Sequence, residues 1–421
     1  MYVRNIPIFL MALALLVPAA ARAQAALTLE QALRLAEQRS RQLAAEDAAA
    51  AAAREMAGAA GQRPDPVLKA GINNLPVNGP DQFSLSRDFM TMRSIGVSQE
   101  ITRADKLSAR SARFEREADA AEAGRTAALA NLQRDTALAW LDRYYQERLR
   151  DLLLSQRDET RLQVEAADAA YRGARGSQAD LFAARSAVAQ IEDRIAQAER
   201  QVAGAGTRLA RWTGAAGLLP LAGTPPVDSL ALREADLDRQ LAHHPQLAVM
   251  ARQEDVAQAE AQIARADKQT DWSVELMYSQ RGAAYSNMVS INLALPLQWD
   301  QKNRQDRTLA AKLALVEKMR AEREEATRDH VAETQAMLQE WQNNRERLAR
   351  YDSALVPLAG ERTRAVLAAY RGNAGTLAAV LDARRAEIDI RMERIRLEME
   401  TARLWAQLNY LLPAGHDGVA H

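Results

Sequence analysis

The sequence predicts a mostly helical protein with membrane β-strands, in which one structural plan occurs twice along the chain. The segment 171–177 reads Tyr-Arg-Gly-Ala-Arg-Gly-Ser and returns at 370–376 as Tyr-Arg-Gly-Asn-Ala-Gly-Thr, with both glycines in register. A second echo joins Ser-Ile-Gly-Val at 94–97 to Ser-Ile-Asn-Leu at 290–293. Abundant Ala, Arg, Glu, Leu and Gln are typical of long helices and coiled coils. We therefore expect an internally duplicated protomer, in which each half carries a strand pair and then a long helical hairpin.

The N-terminus predicts export. Residues 1–23 read as a signal peptide, with Arg4, an apolar run at 6–17 and an Ala-Arg-Ala cleavage site at 21–23. No later stretch reaches about 18 uninterrupted apolar residues, so any membrane crossing must use strands. The chain has no Cys, which excludes disulfides, thiolate metal sites and a lipid on Cys. Its net charge of zero gives no argument for a nucleic-acid partner.

The first repeat is predicted at 24–213. A short helix comes first, and strands follow at about 66–75 and 93–101, where apolar residues alternate with polar ones. From Thr102 to about Ala170 there is no Pro and a single Gly, so one helix of roughly 100 Å is expected. The return helix carries apolar residues spaced by three and four, a heptad seam that favours coiled-coil packing against the first helix. The seam residues are Leu181, Ala184, Val188, Ile191, Ile195, Ala198, Val202, Ala205, Leu209 and Trp212.

The second repeat is predicted at 230–413, after a Gly- and Pro-rich linker at 214–229 that reads as an equatorial segment. It has a helix, strands at about 272–280 and 288–297 with alternating apolar residues, and a second hairpin. Pro357 is expected to bend or break the rising helix of that hairpin. Residues 414–421 form a C-terminal tail.

Four strands predict an oligomer. They cannot close a barrel alone, and an open sheet edge in lipid leaves backbone groups unpaired at several kcal/mol each. Two chains would supply about eight strands, whose interior side chains fill, whereas three would supply about twelve and leave a lumen. A trimer is therefore the smallest assembly that makes a pore.

The order of these features resembles the TolC family of outer-membrane efflux channels. The similarity covers essentially the whole mature chain: signal peptide, Leu-Thr-Leu-Glu-Gln-Ala at 27–32, strand pair, long helix and glycine turn, then all but the signal peptide again. The resemblance implies a trimer with a twelve-stranded outer-membrane β-barrel, continued by an α-helical barrel through the periplasm. It also implies two partners, a periplasmic adaptor (membrane fusion protein) and an inner-membrane transporter of the resistance-nodulation-division (RND) type.

The two glycine turns are the first candidate site. A helical hairpin can use glycine simply to reverse, but a bare reversal does not require Tyr-Arg before the turn and Ser or Thr after it. In the family these tips form the periplasmic mouth and meet the adaptor. Replacing the first glycine of each turn by Val is expected to disfavour the reversal wherever φ is positive. The predicted tip residues are Tyr171, Arg172, Gly173, Gly176, Ser177, Tyr370, Arg371, Gly372, Gly375 and Thr376.

Two acidic residues just beyond the turns are a second candidate. Asp180 and Asp382 can be helix-start carboxylates favoured by the helix dipole, or they can narrow the tunnel, as acidic residues do in similar channels. Ala183 and Ala379 depart from that acidic pattern. Six carboxylates in a trimer would attract cations.

Aromatic and histidine residues receive simpler interpretations. Trp272 and Trp299 are expected in an aromatic belt at the membrane interface. His243 and His244 favour helix capping or a solvated position over a ligand site.

The function predicted is a passive exit duct rather than an enzyme, because no nucleophile and base, phosphate loop or metal triad is recognisable and no cofactor is implied. The stretches at 71–76 and 96–100 look closer to channels of heavy-metal efflux than to multidrug ones. A multidrug channel or a type I protein-secretion duct of the same fold is the alternative. A periplasmic adaptor is disfavoured, since it would carry one hairpin that splits a lipoyl-like domain.

Overall fold

A computed structural model describes residues 26–230 and 244–413. The predicted signal peptide, His243 and the tail at 414–421 lie outside the described residues. Within the two described ranges, no helix is both long and apolar enough to cross a membrane.

The first half runs from short helices through a strand pair into a long helical hairpin. Thr28 begins α1 with a capping box: its hydroxyl accepts from Gln31 N at 3.2 Å, and the Gln31 side chain accepts from Thr28 N at 3.0 Å. The 69 residues of α3 make it the longest of these helices. The elements are α1 (Leu29–Arg39), α2 (Arg41–Ala60), β1 (Val67–Asn73), β2 (Met92–Ile101), α3 (Ala104–Arg172), α4 (Gln178–Thr213) and a 3₁₀ turn (Gly214–Leu218).

The second half has the same order of elements. Its helix α5 begins at Pro245, with His244 as the N-cap residue. The elements are α5 (Pro245–Ala266), β3 (Trp272–Gln280), β4 (Met288–Ala294), α6 (Gln305–Arg350), a π turn (Tyr351–Leu355), α7 (Val356–Arg371) and α8 (Leu377–Asn409).

The rising helix is interrupted directly before Pro357. Regular α-helix ends at Arg350, the π turn follows, and α7 begins at Val356 with Pro357 in its first turn, so the expected break takes the form of a π turn. Arg394 of α8 holds this turn, since its Nε donates to Asp352 Oδ1 at 2.6 Å.

The four strands form one antiparallel sheet in the order β1-β2-β3-β4. The pairing of β2 with β3 joins the two halves of the chain, and Gly96 lies opposite Met277 there. β1 ends at Asn73 because Asn74 has a φ of 55°. β4 ends at Ala294, where its pairing with β3 ends, so both strands are shorter than the sequence pattern suggests.

One face of the sheet is apolar and exposed. Leu68, Val97, Leu276 and Ile291 form a row across all four strands, and Ile291 is 74% exposed. An exposed apolar surface of this extent is not stable against water and marks a surface for lipid or protein. The other exposed apolar side chains of this face are Ile72, Ile95, Tyr278, Val289 and Leu293.

The opposite face of the sheet is polar. Lys69 of β1 forms an ion pair with Glu275 of β3 across β2, and Asn292 of β4 donates to the same carboxylate at 3.5 Å. The intervening Gly96 has no side chain, so nothing separates the two charged groups there.

The largest core cluster lies where the long helices meet the equatorial segment. Trp140 donates from Nε1 to Leu27 O at 3.1 Å, and Trp405 donates to Ser229 O at 2.9 Å. Both indole rings are nearly fully buried. These bonds fix the beginning of the described chain and the 214–229 segment against α3 and α8.

The heptad residues of α4 are largely buried against α3. Seven of the ten are buried and the other three are half-buried, so this face of α4 is its packing face. The buried ones are Leu181, Ala184, Ile191, Ile195, Ala198, Ala205 and Leu209.

Candidate functional site

The two hairpin tips share one backbone design. In the first tip, Arg175 N donates to Ala170 O at 2.9 Å and Ala174 N donates to Tyr171 O at 3.0 Å. This pair of bonds is the Schellman motif, which satisfies carbonyl groups at the C-terminus of a helix.

The second tip repeats both bonds. Ala374 N donates to Ala369 O at 2.8 Å, and Asn373 N donates to Tyr370 O at 3.1 Å. The repeated heptapeptide therefore encodes the same turn at both places.

The left-handed residue of each tip is not a glycine. Ala174 has a φ of 54° and Asn373 has a φ of 58°, whereas Gly173 and Gly372 have φ values of −82° and −84°. The expectation that positive φ explains the first glycine of each motif is therefore wrong. Asn adopts the left-handed region more readily than Ala, so the first tip holds the less favourable residue.

The second glycine of each motif has a packing reason. A Cβ on Gly176 would lie 3.1 Å from Ala170 Cβ, and a Cβ on Gly375 would lie 3.2 Å from Tyr370 N. Both distances are shorter than ordinary van der Waals contact. Glycine at these positions lets the returning chain pass close to the end of the rising helix.

The return helices begin with different caps. The Ser177 hydroxyl accepts from Asp180 N at 3.1 Å and donates to Asp180 Oδ2 at 2.6 Å, and Ser177 N also donates to that carboxylate. Thr376 accepts from Ala379 N at 3.2 Å, and Ala379 offers no carboxylate in return. Asp180 thus acts as a helix-start carboxylate in this structure, one of the two interpretations its position allows.

The two tips lie side by side. Ala167, Leu181 and Ala184 of the first hairpin form one buried cluster with Leu377 and Val380 of the second. Because the cluster spans both hairpins, the tips form a single end of the protomer.

The tip tyrosines and arginines differ in exposure. Tyr370 is half-buried against the shared cluster, whereas Tyr171 is 44% exposed. Arg172 pairs with Asp168 at 2.7 Å on the surface, and Arg371 is exposed. An exposed ion pair of this kind contributes little stability, which leaves these side chains available to a partner.

Asp382 is exposed and has no hydrogen bond or ion pair within the described ranges. It lines a groove of about 280 Å³ between α4 and α8, together with Ala183, Gln190, Arg194 and Arg385. Asp180 lies nearer the tip and does not line this groove. Within one protomer the two predicted acidic residues therefore differ in surroundings: Asp382 lines the groove, and Asp180 caps the start of α4.

The tryptophans lie at the end of the sheet nearest the helices. Trp272 begins β3 and is 41% exposed, while Trp299 follows β4 and is 88% exposed. Both indoles lie where the sheet gives way to the helices, and their place in a membrane-interface belt stays a prediction.

His244 caps α5, as the sequence suggested for the histidine pair. Its Nδ1 accepts from Gln246 N at 3.2 Å, and its ring lies 4.4 Å from the His330 ring. Burial, followed by the electrostatic effects of His330 and Arg134, lowers the pKa of His244 to about 4. Across residues 26–230 and 244–413, no group of three or more His, Asp or Glu side chains is placed to hold a metal ion.

The Lys69–Glu275 ion pair is not among the sites predicted from the sequence. Its signal was present, since each residue is the single charge inside a strand of alternating pattern. Only the strand order shows that the two charges meet across β2.

No protein-family model and no curated protein matches this sequence. Among solved structures, CusC, described in a study of transmembrane channel formation, matches with a TM-score of 0.77 at 16% identity, over 91% of this chain and 91% of that one. The outer-membrane channel OprN gives a TM-score of 0.76 at 16% identity, over 92% of this chain and 90% of that one. VceC, an outer-membrane protein of Vibrio cholerae, gives 0.72 at 18% identity, over 91% and 95%. The chain therefore has the fold of outer-membrane channels, and the resemblance to the TolC family is confirmed at that level.

Proposed function

We propose that this protein is the outer-membrane exit duct of a tripartite efflux pump. One observation carries the proposal: the sheet exposes an apolar face on one side and a polar, charged face on the other, and long helices continue from it. Such a sheet suits lipid outside and water inside. The role is conduction rather than catalysis.

The duct is proposed to be a homotrimer of internally duplicated protomers. Among the strands of residues 26–230 and 244–413, β1 and β4 each pair with one neighbour, so both outer edges of this sheet are open. Three copies would supply about twelve strands and enclose a lumen. The hairpins α3–α4 and α6–α8 would continue the barrel as a helical tunnel through the periplasm.

The tips are proposed to dock the adaptor, and the inner-membrane RND transporter would deliver cargo through it. Support comes from the repeated turn and from the exposed side chains of Tyr171, Arg172 and Arg371 at one end of the protomer. The opposite end of the molecule would lie in the outer membrane.

Asp180 and Asp382 are proposed to line the narrow part of the tunnel. Asp382 is proposed to carry the larger share of this role, because its carboxylate has no partner among the described residues while that of Asp180 is engaged by Ser177. Clustered carboxylates at a narrow aqueous mouth attract cations.

Heavy-metal cations are the proposed cargo. The fold does not identify the cargo, because channels of several kinds share it. The support for metal export is therefore the likeness of residues 71–76 and 96–100 to channels of heavy-metal efflux. Multidrug or protein export by the same fold is the alternative. The adaptor alternative is weakened by the two hairpins and four strands of this chain.

Mass measurement of the protein extracted from outer membranes tests the assembly. A closed cyclic trimer should have about three times the protomer mass, and in planar bilayers it should conduct ions. A variant with Ile291→Asp, on the apolar face, should fail to insert, because a charge facing lipid costs several kcal/mol. The matched variant Asn292→Asp, on the polar face, should insert. A stable monomer in intact membranes, or equal insertion of the two variants, contradicts the proposal.

The cargo is tested in a host that lacks its own metal-efflux duct. Expression with the cognate pump and adaptor should raise tolerance to divalent or monovalent heavy-metal ions and leave tolerance to organic drugs unchanged. The reverse pattern would assign the duct to multidrug export.

A further inference from the structure

The joint between the two halves of the chain is held by a buried lysine. Lys106, in the first turn of α3, has a side chain only 7% exposed, and its Nζ lies 2.7 Å from Asp271 Oδ2. The same Nζ donates to Gln269 O at 3.3 Å. A first-half lysine thus anchors the segment that leads into the second-half strand β3.

The strand registers place the two halves on one another. Val67 pairs with Ser98 in the first half, and Ser273 pairs with Ala294 in the second. The repeat at 94–97 and 290–293 makes Ser98 correspond to Ala294. With this alignment of the two halves, β1 corresponds to β3 and β2 corresponds to β4.

This correspondence gives Lys106 and Asp271 two counterparts. Lys302, in the turn before α6, falls on Lys106, and Asp65, just before β1, falls on Asp271. Both counterparts are exposed, and neither has an ion pair or hydrogen bond within the described residues. The joint between β2 and β3 is therefore held by the Lys106–Asp271 ion pair. The corresponding Lys302 and Asp65, at the outer edges of the same sheet, form no such pair within the described residues.

We infer that neighbouring copies of this chain join as the two halves join within one copy. Lys302 of one copy pairs with Asp65 of the next, and β4 pairs antiparallel with β1 of the next copy. The register follows from the β2–β3 register: Asn292 lies opposite Gly71 of the neighbouring copy, and Leu293 lies opposite its Ala70. This inference rests on the proposed duplication and trimer, and it goes further by fixing which residues meet.

The unpaired segment after β4 fits this joint. Leu295 and Leu297 are 53% and 61% exposed and continue the alternation of β4 without a pairing partner. In the inferred register they lie opposite Leu68 and Pro66 of the neighbouring copy, so β4 would extend to about residue 297. An unpaired apolar edge in lipid would otherwise leave backbone groups without hydrogen bonds.

Charge complementarity supports the same joint. Within one copy, Lys69 reaches Glu275 across β2. In the inferred assembly Glu275 faces Lys69 of the next copy across β4, with Asn292 between them. Three lysines and three glutamates then alternate around the lumen, and no two like charges are adjacent, an arrangement that like-charge repulsion favours.

Cysteine cross-linking tests the register, because the chain has no Cys of its own. The double variant Gly71→Cys with Asn292→Cys should form covalent dimers and trimers when outer membranes are oxidised, since directly opposite residues come within disulfide reach. Within one copy a Cβ at Gly71 would meet only Asn73 Oδ1, at an ordinary contact distance of 3.9 Å, so the substitution should be tolerated. Ala70→Cys with Leu293→Cys tests the other type of antiparallel pair.

The matched control shifts one cysteine by two residues on the same face. Asn73→Cys with Asn292→Cys places the two Cβ atoms beyond disulfide reach, so its cross-linked fraction should be at least about tenfold lower. Trimers of correct mass that cross-link in the control but in neither test pair would overturn the inferred register and leave the proposed duct intact. A monomer in intact membranes would overturn both.

Charge exchange tests the bridge. Lys302→Asp alone and Asp65→Lys alone should each place like charges together and reduce the trimer fraction that survives heating in detergent. The double exchange should restore that fraction to near the parent value. Lys318→Asp, at an exposed pair on α6 away from the joint, should leave it unchanged. If the single variants had no effect, or if the double variant were no more stable than the single ones, the Lys302–Asp65 pair between copies would be rejected.

Discussion

The two hairpin tips have the same turn but different side chains around it. In the first tip the left-handed residue is Ala174 and the cap carboxylate is Asp180; in the second the left-handed residue is Asn373 and there is no cap carboxylate. The first tip therefore combines a less favourable turn residue with a stronger helix start, and the second does the reverse. The same backbone turn is thus stabilised by the cap of the return helix in the first tip and by the left-handed residue in the second. The two tips therefore present different side chains to a partner.

The largest effect should come from removing the close approach that both tips share. Gly176→Val and Gly375→Val should each destabilise their tip by about 1–3 kcal/mol, because a side chain there overlaps the end of the rising helix. Hydrogen exchange of the tip amides and cross-linking to the adaptor measure the loss.

Gly372→Ala is the matched control. That residue has an ordinary φ, and its Cβ would meet no atom closer than 3.5 Å, so the tip should keep its protection. If this variant were as damaging as Gly375→Val, the packing account of the second glycine would be wrong.

Exchanging the left-handed residues should sharpen the comparison. Ala174→Asn should stabilise the first tip, and Asn373→Ala should destabilise the second by a similar amount, about 1 kcal/mol, because Ala is disfavoured at positive φ. Protection of the Arg175 and Ala374 amides reports the two tips separately. Equal shifts of the same sign would contradict the assigned difference.

Substitution of Asp180 and of Asp382 should distinguish a helix-capping role from a role in ion conduction. Asp180→Asn should weaken the start of α4 by about 0.5–1 kcal/mol, with a small effect on conduction. Asp382→Asn should leave the helix unchanged and lower cation preference in planar-bilayer recordings, since no described residue pairs with its charge. Unchanged selectivity in Asp382→Asn and in the double variant would end the proposed role in the tunnel.

The smallest expected effect on the tips is that of low pH, which should change stability near His244 instead. The pKa of His244 is lowered to about 4, below its ordinary value of 6.5, so its contribution to stability is present above about pH 6.5 and is lost as the pH falls toward 4. Burial and the nearby His330 and Arg134 disfavour its charged form, while Asp135 and Glu333 line the same cavity.

Exchange near Pro245 should therefore accelerate between pH 6.5 and 4, with little change at residues 171–177 or 370–376. His244→Asn, which keeps a capping side chain, should remove this pH dependence. A variant that retains it would place the titrating group elsewhere.

Much of the fold could be predicted because its signals are local. The seam of α4 was predicted from spacing, and the alternation in β3 and β4 identified which residues share a face. Pro357 marked the place where the rising α-helix is interrupted, but a single sequence does not reveal that the interruption is a π turn.

The candidate site was less predictable because it depends on contacts between distant segments. The repeated motif identified both tips but not which residue takes positive φ, since the Schellman pattern places it one residue after the first glycine. Asp180 and Asp382 looked alike in sequence, and only the cap at Ser177 distinguishes them. The meeting of Lys69 with Glu275 required the strand order.

The pairing of β2 with β3 also has a consequence for biogenesis. These strands are separated in sequence by the whole of α3, α4 and α5, so the sheet cannot complete until the first hairpin has folded back. Contacts of such long sequence separation form late. In the duct proposed above, the helices would therefore form in the periplasm while the apolar strands remain unassembled. On this proposal the chain would reach the membrane with its helices folded and its sheet incomplete, and insertion and subunit joining would be the final steps of folding.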